Sequence, residues 1–451
     1  MGGKESREVG LNSRFAAALG QDYMPTIKSP RGVDLVKFPG GITEPATMKK
    51  AGPLVGVKVI EMGQLIAGPF CGKILAEFGA EVIKIEPPAT ENSEGGDPLR
   101  TWRHMHNGTS LWWSLQARNK KSVAVNLRVA EGQEIIRKLA KDADILLENF
   151  RPGALEKWNL GYEQLSAINP KLIMVRLSGY GQTGPYRDRP GFGMIGEAMG
   201  GIRHITGYPD RPPVRVGVSI GDAIAAMYGA IGALMALHHR NVNGGTGQMI
   251  DVALYEAVFS LMESMLPEFG MTGFVRERTG GTLPGIVPSN SYLTKDEKYV
   301  VIGGNGDSIF KRFMHAIGRS DMANDPAIAN NAGRFAQTQR IEKVIGDWCA
   351  SHDLAHVLRA LDEADVPSGS IYNIQDIVRD VHYQARDMIQ THKLSDGQNV
   401  LLPGIVPKFS DSPGETKWLG PKLGEHTEEI LQALGYCDEQ RTQLRNTGVI
   451  G

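Results

Sequence analysis

Residues 57–86 read VKVIEMGQLIAGPFCGKILAEFGAEVIKIE, and their reading decides the fold class. Val57 to Met62 is a short apolar run, predicted to be a strand. After the loop Gly63 to Pro69, the stretch Phe70 to Phe78 has helical character, and Gly79 supplies the residue type that ends helices. Glu81 to Glu86 then predicts a second strand. Two strands joined through one helix form a βαβ unit, whose strands lie parallel because so short a hairpin-free crossover needs the helix.

The rhythm continues outward. Ser122 to Leu127 is predicted as a strand, Glu131 to Ala140 as a helix, and Ala143 to Glu148 and Leu172 to Leu177 as further strands. The first half is therefore an α/β structure built on an open parallel sheet. Ligands of such sheets bind beyond the carboxyl ends of the strands. The segments there are Gln64 to Pro69, Arg128, Asn149-Phe150-Arg151-Pro152-Gly153 and Ser178-Gly179-Tyr180-Gly181, which together offer backbone donors and cations at one rim. No G-x-G-x-x-G follows the first strand, which argues against an ordinary nicotinamide enzyme. Two readings stay open at this point, a different phosphate-bearing ligand and plain glycine-rich turns.

Farther along, residues 216–237 read VGVSIGDAIAAMYGAIGALMAL. One acid, Asp222, precedes an uncharged helix from Ala223 to Leu237, which is too short for a bilayer and is expected in the core. At a helix start Asp222 serves either as a cap or as a nucleophile. His238 and His239 at the other end suit the negative pole of the helix dipole. A strand from Gln248 to Val252 and an amphipathic helix from Ala253 to Met265 are expected next. Arg276 to Pro288 is rich in Gly and Pro with charge at its start, the profile of an active-site loop. From Ser291 the pattern changes to two strands around a charged turn, then amphipathic helices to about Asp380, a smaller α+β lobe. The expected organisation is an irregular extension over 1–50, a large domain over 51–270, a small domain over 285–385, and a return to the large domain over 395–451.

Composition narrows the function. The chain has 451 residues, 41% hydrophobic, with a net charge of −1, so it has material for more than one lobe and no excess of cations for nucleic acid. Three cysteines, Cys71, Cys349 and Cys437, are too few for a disulfide framework and indicate a reducing compartment. No signal-like core and no apolar run of membrane-spanning length is evident, so a cytoplasmic location without membrane contact is expected. His352 and His356 are four apart on a predicted helix, but no H-E-x-x-H motif accompanies them, so they are read as surface residues and no metal is expected.

PLVGVKVIEMGQLIAGPFCGKILAEFGAEVIKIEPP, ARNKKSVAVNLR, ENFRPG, SGYGQTGPYRDRPGF, GVSIGD and LGEHT occur in that order. Together they resemble the family III CoA-transferases, from about residue 53 to the C-terminus. The resemblance implies a Rossmann-like large domain plus a small domain in a ring-like chain, two copies threading through each other as an interlocked homodimer. Pairing with a related chain is the other assembly it allows. It also implies that Asp222 is the catalytic nucleophile, forming first a mixed anhydride and then an aspartyl-CoA thioester. Coenzyme A enters as substrate, no cofactor being needed, with oxyanion donors from glycine-rich loops. The family's CoA contacts fall on Leu65, Ile66, Arg128, Asn149, Phe150, Lys157 and Tyr180. Pro87 stands where some members carry an adenine-side arginine.

α-Methylacyl-CoA racemases share this likeness but pair the aspartate with a histidine, and here Phe192 occupies that position, leaving no second acid–base group. An oxalate-type transferase, a hydrolase and a non-catalytic CoA-binding subunit are the remaining alternatives. Within the family the likeness is to succinyl-CoA-dependent transferases acting on malate and related dicarboxylates. A buried distal carboxylate needs a cation, and Arg276, Arg278, His104 and His106 are the loop candidates.

Overall fold

In the computed structural model, residues 52–451 are described, and the extension expected over 1–50 lies outside them. Six strands form one sheet: β1 Lys58–Glu61, β2 Glu81–Glu86, β3 Lys120–Ala124, β4 Ile145–Glu148, β5 Ile173–Ser178 and β6 Met249–Ala253. Their order is β3-β2-β1-β4-β5-β6, and every neighbouring pair is parallel. The order reverses between β1 and β4. At that switch point the loops after the two strands diverge to opposite faces and leave a crevice at their carboxyl ends.

Both faces of the sheet are covered, which is why β4 and β5 are buried along their whole length. On one face lie helices α1 Ala67–Glu77, α5 Ile220–Val242 and α6 Leu254–Phe259, burying Cys71, Leu75, Val175, Ile224 and Ala233 together. On the other, α2 Ala130–Ala140 packs with residues 155–165 and with Ile430, Leu431, Val449 and Ile450 from the end of the chain. That C-terminal segment is fastened to the sheet by Asn126 N–H donating to Val449 O and by Trp418 Nε1 donating to Lys120 O.

The central helix α5 differs from expectation in length. It spans 23 residues with a mean hydropathy of 1.6 over its most apolar window, long and apolar enough by those measures to cross a membrane. The uncharged run alone underestimated it, because helical backbone continues through His238, His239 and Arg240 to Val242. Half of that window is buried. The buried stripe is small, Ala225, Ala226, Gly229, Ala230 and Ala233, so the helix lies close on its neighbours: a Cβ on Gly229 would stand 3.3 Å from Cys71 Sγ and from Val175. Met227, Tyr228, Ile231, Leu234 and Met235 point the other way and are exposed.

The helix expected from Ala253 to Met265 is two helices, α6 and α7 Met265–Thr272. Pro267 lacks the N–H that a continuous helix needs, and it sits in the first turn of α7, where that donor is not required. Glu263, with φ of 46°, makes the corner.

Residues 289–370 add an antiparallel sheet of β7 Ser289–Leu293, β8 Tyr299–Gly303 and β9 Ser368–Ser370, in the order β9-β8-β7. It has its own core, in which Val300 and Ile302 meet Phe313, Ile341, Val357 and Leu361.

Candidate active site

The loops after β1 and β4 are tied together at the switch point. Asn149 Oδ1 accepts from Gln64 N–H at 2.7 Å, and its Nδ2 donates to Gln64 O at 2.9 Å. Leu65, next in the loop, has φ of 62°, a left-handed conformation that costs a non-glycine residue roughly 1–2 kcal/mol. Its N–H donates to both Asp97 carboxylate oxygens, at 3.1 and 3.2 Å. Beneath lies a buried ionic network. Lys84 Nζ is 2.9 Å from Asp97 and 3.0 Å from Glu61 and donates to Gly63 O. Lys120 Nζ is 2.7 Å from Glu61 and donates to Pro69 O. Against the cost of burial, Asp97 and Glu61 hold Lys84 above its ordinary pKa, whereas burial pushes Lys120 down to about 8. Both lysines thus end on carbonyls of the loop they support.

The other residues carried by the resemblance lie on the segments after β1, β3, β4 and β5. Ile66 is the residue preceding α1, and its carbonyl accepts from Gln116. Phe150 donates its N–H to Glu148 at 2.7 Å and meets Trp158 edge-on at 5.5 Å. Arg176 links Glu148 to Glu156 on α3 Ala154–Lys157, fixing the turn that carries Phe150 and Lys157. Arg128 and Lys157 are exposed, and among the described residues no acid pairs with either. Tyr180 lies between Tyr186 and Tyr255, with ring centroids at 6.0 and 6.4 Å.

Asp222 reaches this rim through close backbone contacts. Gly179, beyond β5, packs so tightly on Gly191 that a Cβ on Gly179 would lie 2.7 Å from the Gly191 Cα. Two residues on, Gly193 begins α4 Gly193–Met199, which packs against α5 and α6. Gly193 lies directly under the Asp222 carboxylate. Asp222 is in the first turn of α5, whose N-cap residue is Ser219, and its carboxylate accepts from its own backbone N–H. Burial raises its pKa to about 6, Glu197 adds to the rise, and Arg215 opposes it. Glu197 is buried and ion-paired with Arg203 at 3.0 Å and Arg215 at 3.4 Å.

Other candidates are engaged elsewhere. Arg276 pairs with Glu263 and Glu268, Arg278 donates to His204 O, and His106 pairs with Asp396 at 2.6 Å. A cavity of about 850 Å³ is lined by His106, Lys393, Asp396, Trp418, Lys422 and His426 and does not include Asp222. His352 and His356 stack on each other at 4.5 Å, and among the described residues no cluster suits a metal.

Sequence reasoning did not single out Gly193, Glu197, Arg215, Asp97 or the two buried lysines. A signal was present for one of them: Lys84 is a charge set between Ile83 and Ile85 inside β2.

A sequence model described as CoA-transferase family III matches residues 54–427. The chain belongs to that family and is a CoA-transferase. Succinyl-CoA–D-citramalate CoA-transferase of Chloroflexus aurantiacus is 48% identical over 400 residues, 88% of this chain and 98% of the relative. The beta subunit of succinyl-CoA–L-malate CoA-transferase from the same organism is 43% identical over 403 residues, again 88% and 98% of the two chains. Among solved structures, a CAIB/BAIF family protein from Brucella suis superposes with a TM-score of 0.74 at 32% identity, covering 85% of this chain and all of that one.

Proposed function

We propose that this chain moves CoA from succinyl-CoA to a dicarboxylic acceptor, malate or a substituted succinate such as citramalate, with Asp222 as nucleophile. The observation that carries the mechanism is the Asp222 carboxylate lying against Gly193, where burial raises its pKa. An Asp222 oxygen attacks the thioester carbonyl, the C–S bond breaks, and CoA leaves as thiolate, giving a mixed anhydride. The thiolate then attacks the aspartyl carbonyl and releases succinate, leaving an aspartyl-CoA thioester. The acceptor carboxylate attacks that thioester, and the returning thiolate releases the new acyl-CoA and free Asp222. The thioester energy is retained throughout.

Leu65, Ile66, Asn149 and Phe150 shape the switch-point crevice for CoA, Arg128 and Lys157 meet its phosphates, and Tyr180 is a further CoA contact. Unpaired exposed cations suit phosphate oxygens. The dicarboxylate class is supported by the succinyl-CoA-dependent relatives. Phe192 weighs against racemisation.

The working assembly is an interlocked homodimer, each chain with a large domain over 51–270, a small domain over 285–385 and a return over 395–451. The exposed apolar face of α5 supports a covering chain. The three unpaired cysteines support a cytoplasmic setting. A matrix of acyl-CoA donors against carboxylate acceptors tests the function: succinyl-CoA with malate or citramalate should be the best pair. Faster turnover of acetyl-CoA or formyl-CoA with oxalate would overturn it.

A further inference from the structure

Glu197 holds two guanidinium groups, those of Arg203 and Arg215, and both Glu197 and Arg215 act on Asp222. Glu197 is buried on α4, four residues after the Gly193 that supports Asp222, and both arginines end on its carboxylate. With Asp222 ionised, two negative charges meet two positive ones. The count changes during reaction. When an Asp222 oxygen bonds to the acyl carbon and CoA departs with the electron pair of the C–S bond, the aspartyl oxygen becomes part of a neutral anhydride. Glu197 is then the one acid facing two cations, next to the newly attached acyl group. An uncompensated charge in a partly desolvated site is costly, and an acyl group carrying its own carboxylate restores the balance.

From this we infer that Arg215 receives the distal carboxylate of the bound acyl group, with Glu197 as the positioning residue that holds the guanidinium beside Asp222. The assignment rests on the dicarboxylate reading above. Arg215 is chosen over Arg203 on two grounds. Its contact to Glu197 is the longer, 3.4 against 3.0 Å, and its side chain is 43% exposed against 25%, so it is held less tightly and has access to substrate. It also lies on the irregular segment that enters α5, seven residues before Asp222, and its charge acts on Asp222. The cations proposed from sequence are less free: Arg276 is held by two glutamates and His106 by Asp396.

The test compares succinyl-CoA with butyryl-CoA, which has the same chain length and a methyl group in place of the distal carboxylate. The kcat/KM ratio is measured for the wild-type chain, Arg215→Gln and Arg215→Lys. The wild type should prefer succinyl-CoA. In Arg215→Gln that preference should fall by roughly 30-fold or more, the lower end for unpairing a charge in a binding site, and Arg215→Lys should restore part of it. A wild type without the preference would refute the dicarboxylate reading and this assignment with it. A preference that survives Arg215→Gln would refute the assignment and leave the substrate class standing. Equal loss for both thioesters would also refute it, placing the effect of Arg215 on Asp222 itself.

Discussion

A Cβ on Gly193 would stand 2.0 Å from Oδ2 of Asp222, well inside contact distance. The glycine is required by the Asp222 carboxylate rather than by the backbone, since Gly193 does not have positive φ. Gly193→Ala forces the carboxylate to rotate while α4 gains helix propensity. Activity should fall by about 100-fold or more, the scale of an ångström's misplacement in an active site, while the circular dichroism spectrum stays that of wild type. Near-normal turnover would contradict the contact.

The raised pKa of Asp222 has opposite consequences for activity and stability. Only the ionised carboxylate attacks, so kcat/KM for succinyl-CoA should rise with pH through about 6 and then level off. For folding, a carboxyl whose native pKa exceeds its unfolded value favours the native state when protonated. That favourable contribution is present below the unfolded value of 3.8 and lost as pH rises through about 6. Asp222→Asn should therefore stabilise the protein at pH 7.5 by about 1–3 kcal/mol, and the gain should vanish toward pH 3.5. Urea unfolding of both proteins at several pH values checks this, and a variant less stable than wild type at pH 7.5 would count against it.

Phe192 is 65% exposed and immediately precedes Gly193, the residue against the Asp222 carboxylate, yet has no proton to exchange. A branched acyl-CoA incubated in heavy water should take up no deuterium at its α-carbon. Exchange at a rate comparable to transfer, followed by NMR, would return the racemase reading.

Asn149 spends its carboxamide on Gln64, so its effect on CoA runs through loop shape. Asn149→Ala should raise KM for every acyl-CoA by a similar factor and leave the ranking of acyl groups unchanged. It should also cost about 1–3 kcal/mol of stability from buried groups left unpaired. A change confined to one acyl group would place Asn149 at the acyl end instead.

Much of the fold was legible because apolar strands and their spacing are local signals. Glu81 to Glu86 was read with its observed limits, and the rim loops after β1, β4 and β5 followed from it. The third strand was read two residues late, from Ser122 instead of Lys120, because two lysines resemble a solvated turn. Lys120 is buried through its bond to Glu61, 59 positions earlier in sequence. The same limit hid the ring of charge around Asp222. Glu197 and Arg215 are 18 positions apart, with the short helix Ile202–Ile205 and irregular chain between them, and nothing local couples them. Pro267, by contrast, was a local signal for the break between α6 and α7 that helical periodicity outweighed.

The most direct test of the account is to trap the covalent intermediate. The protein is incubated with succinyl-CoA, quenched with hydroxylamine and digested, and the peptide carrying Asp222 is examined by mass spectrometry. An activated aspartyl carbonyl reacts to give a hydroxamate, so Asp222 should carry that mass change, only when succinyl-CoA is present, and Asp222→Asn should show neither the adduct nor turnover. Continued CoA transfer with an unmodified Asp222, or by Asp222→Asn, would contradict the claim that this carboxylate is the nucleophile.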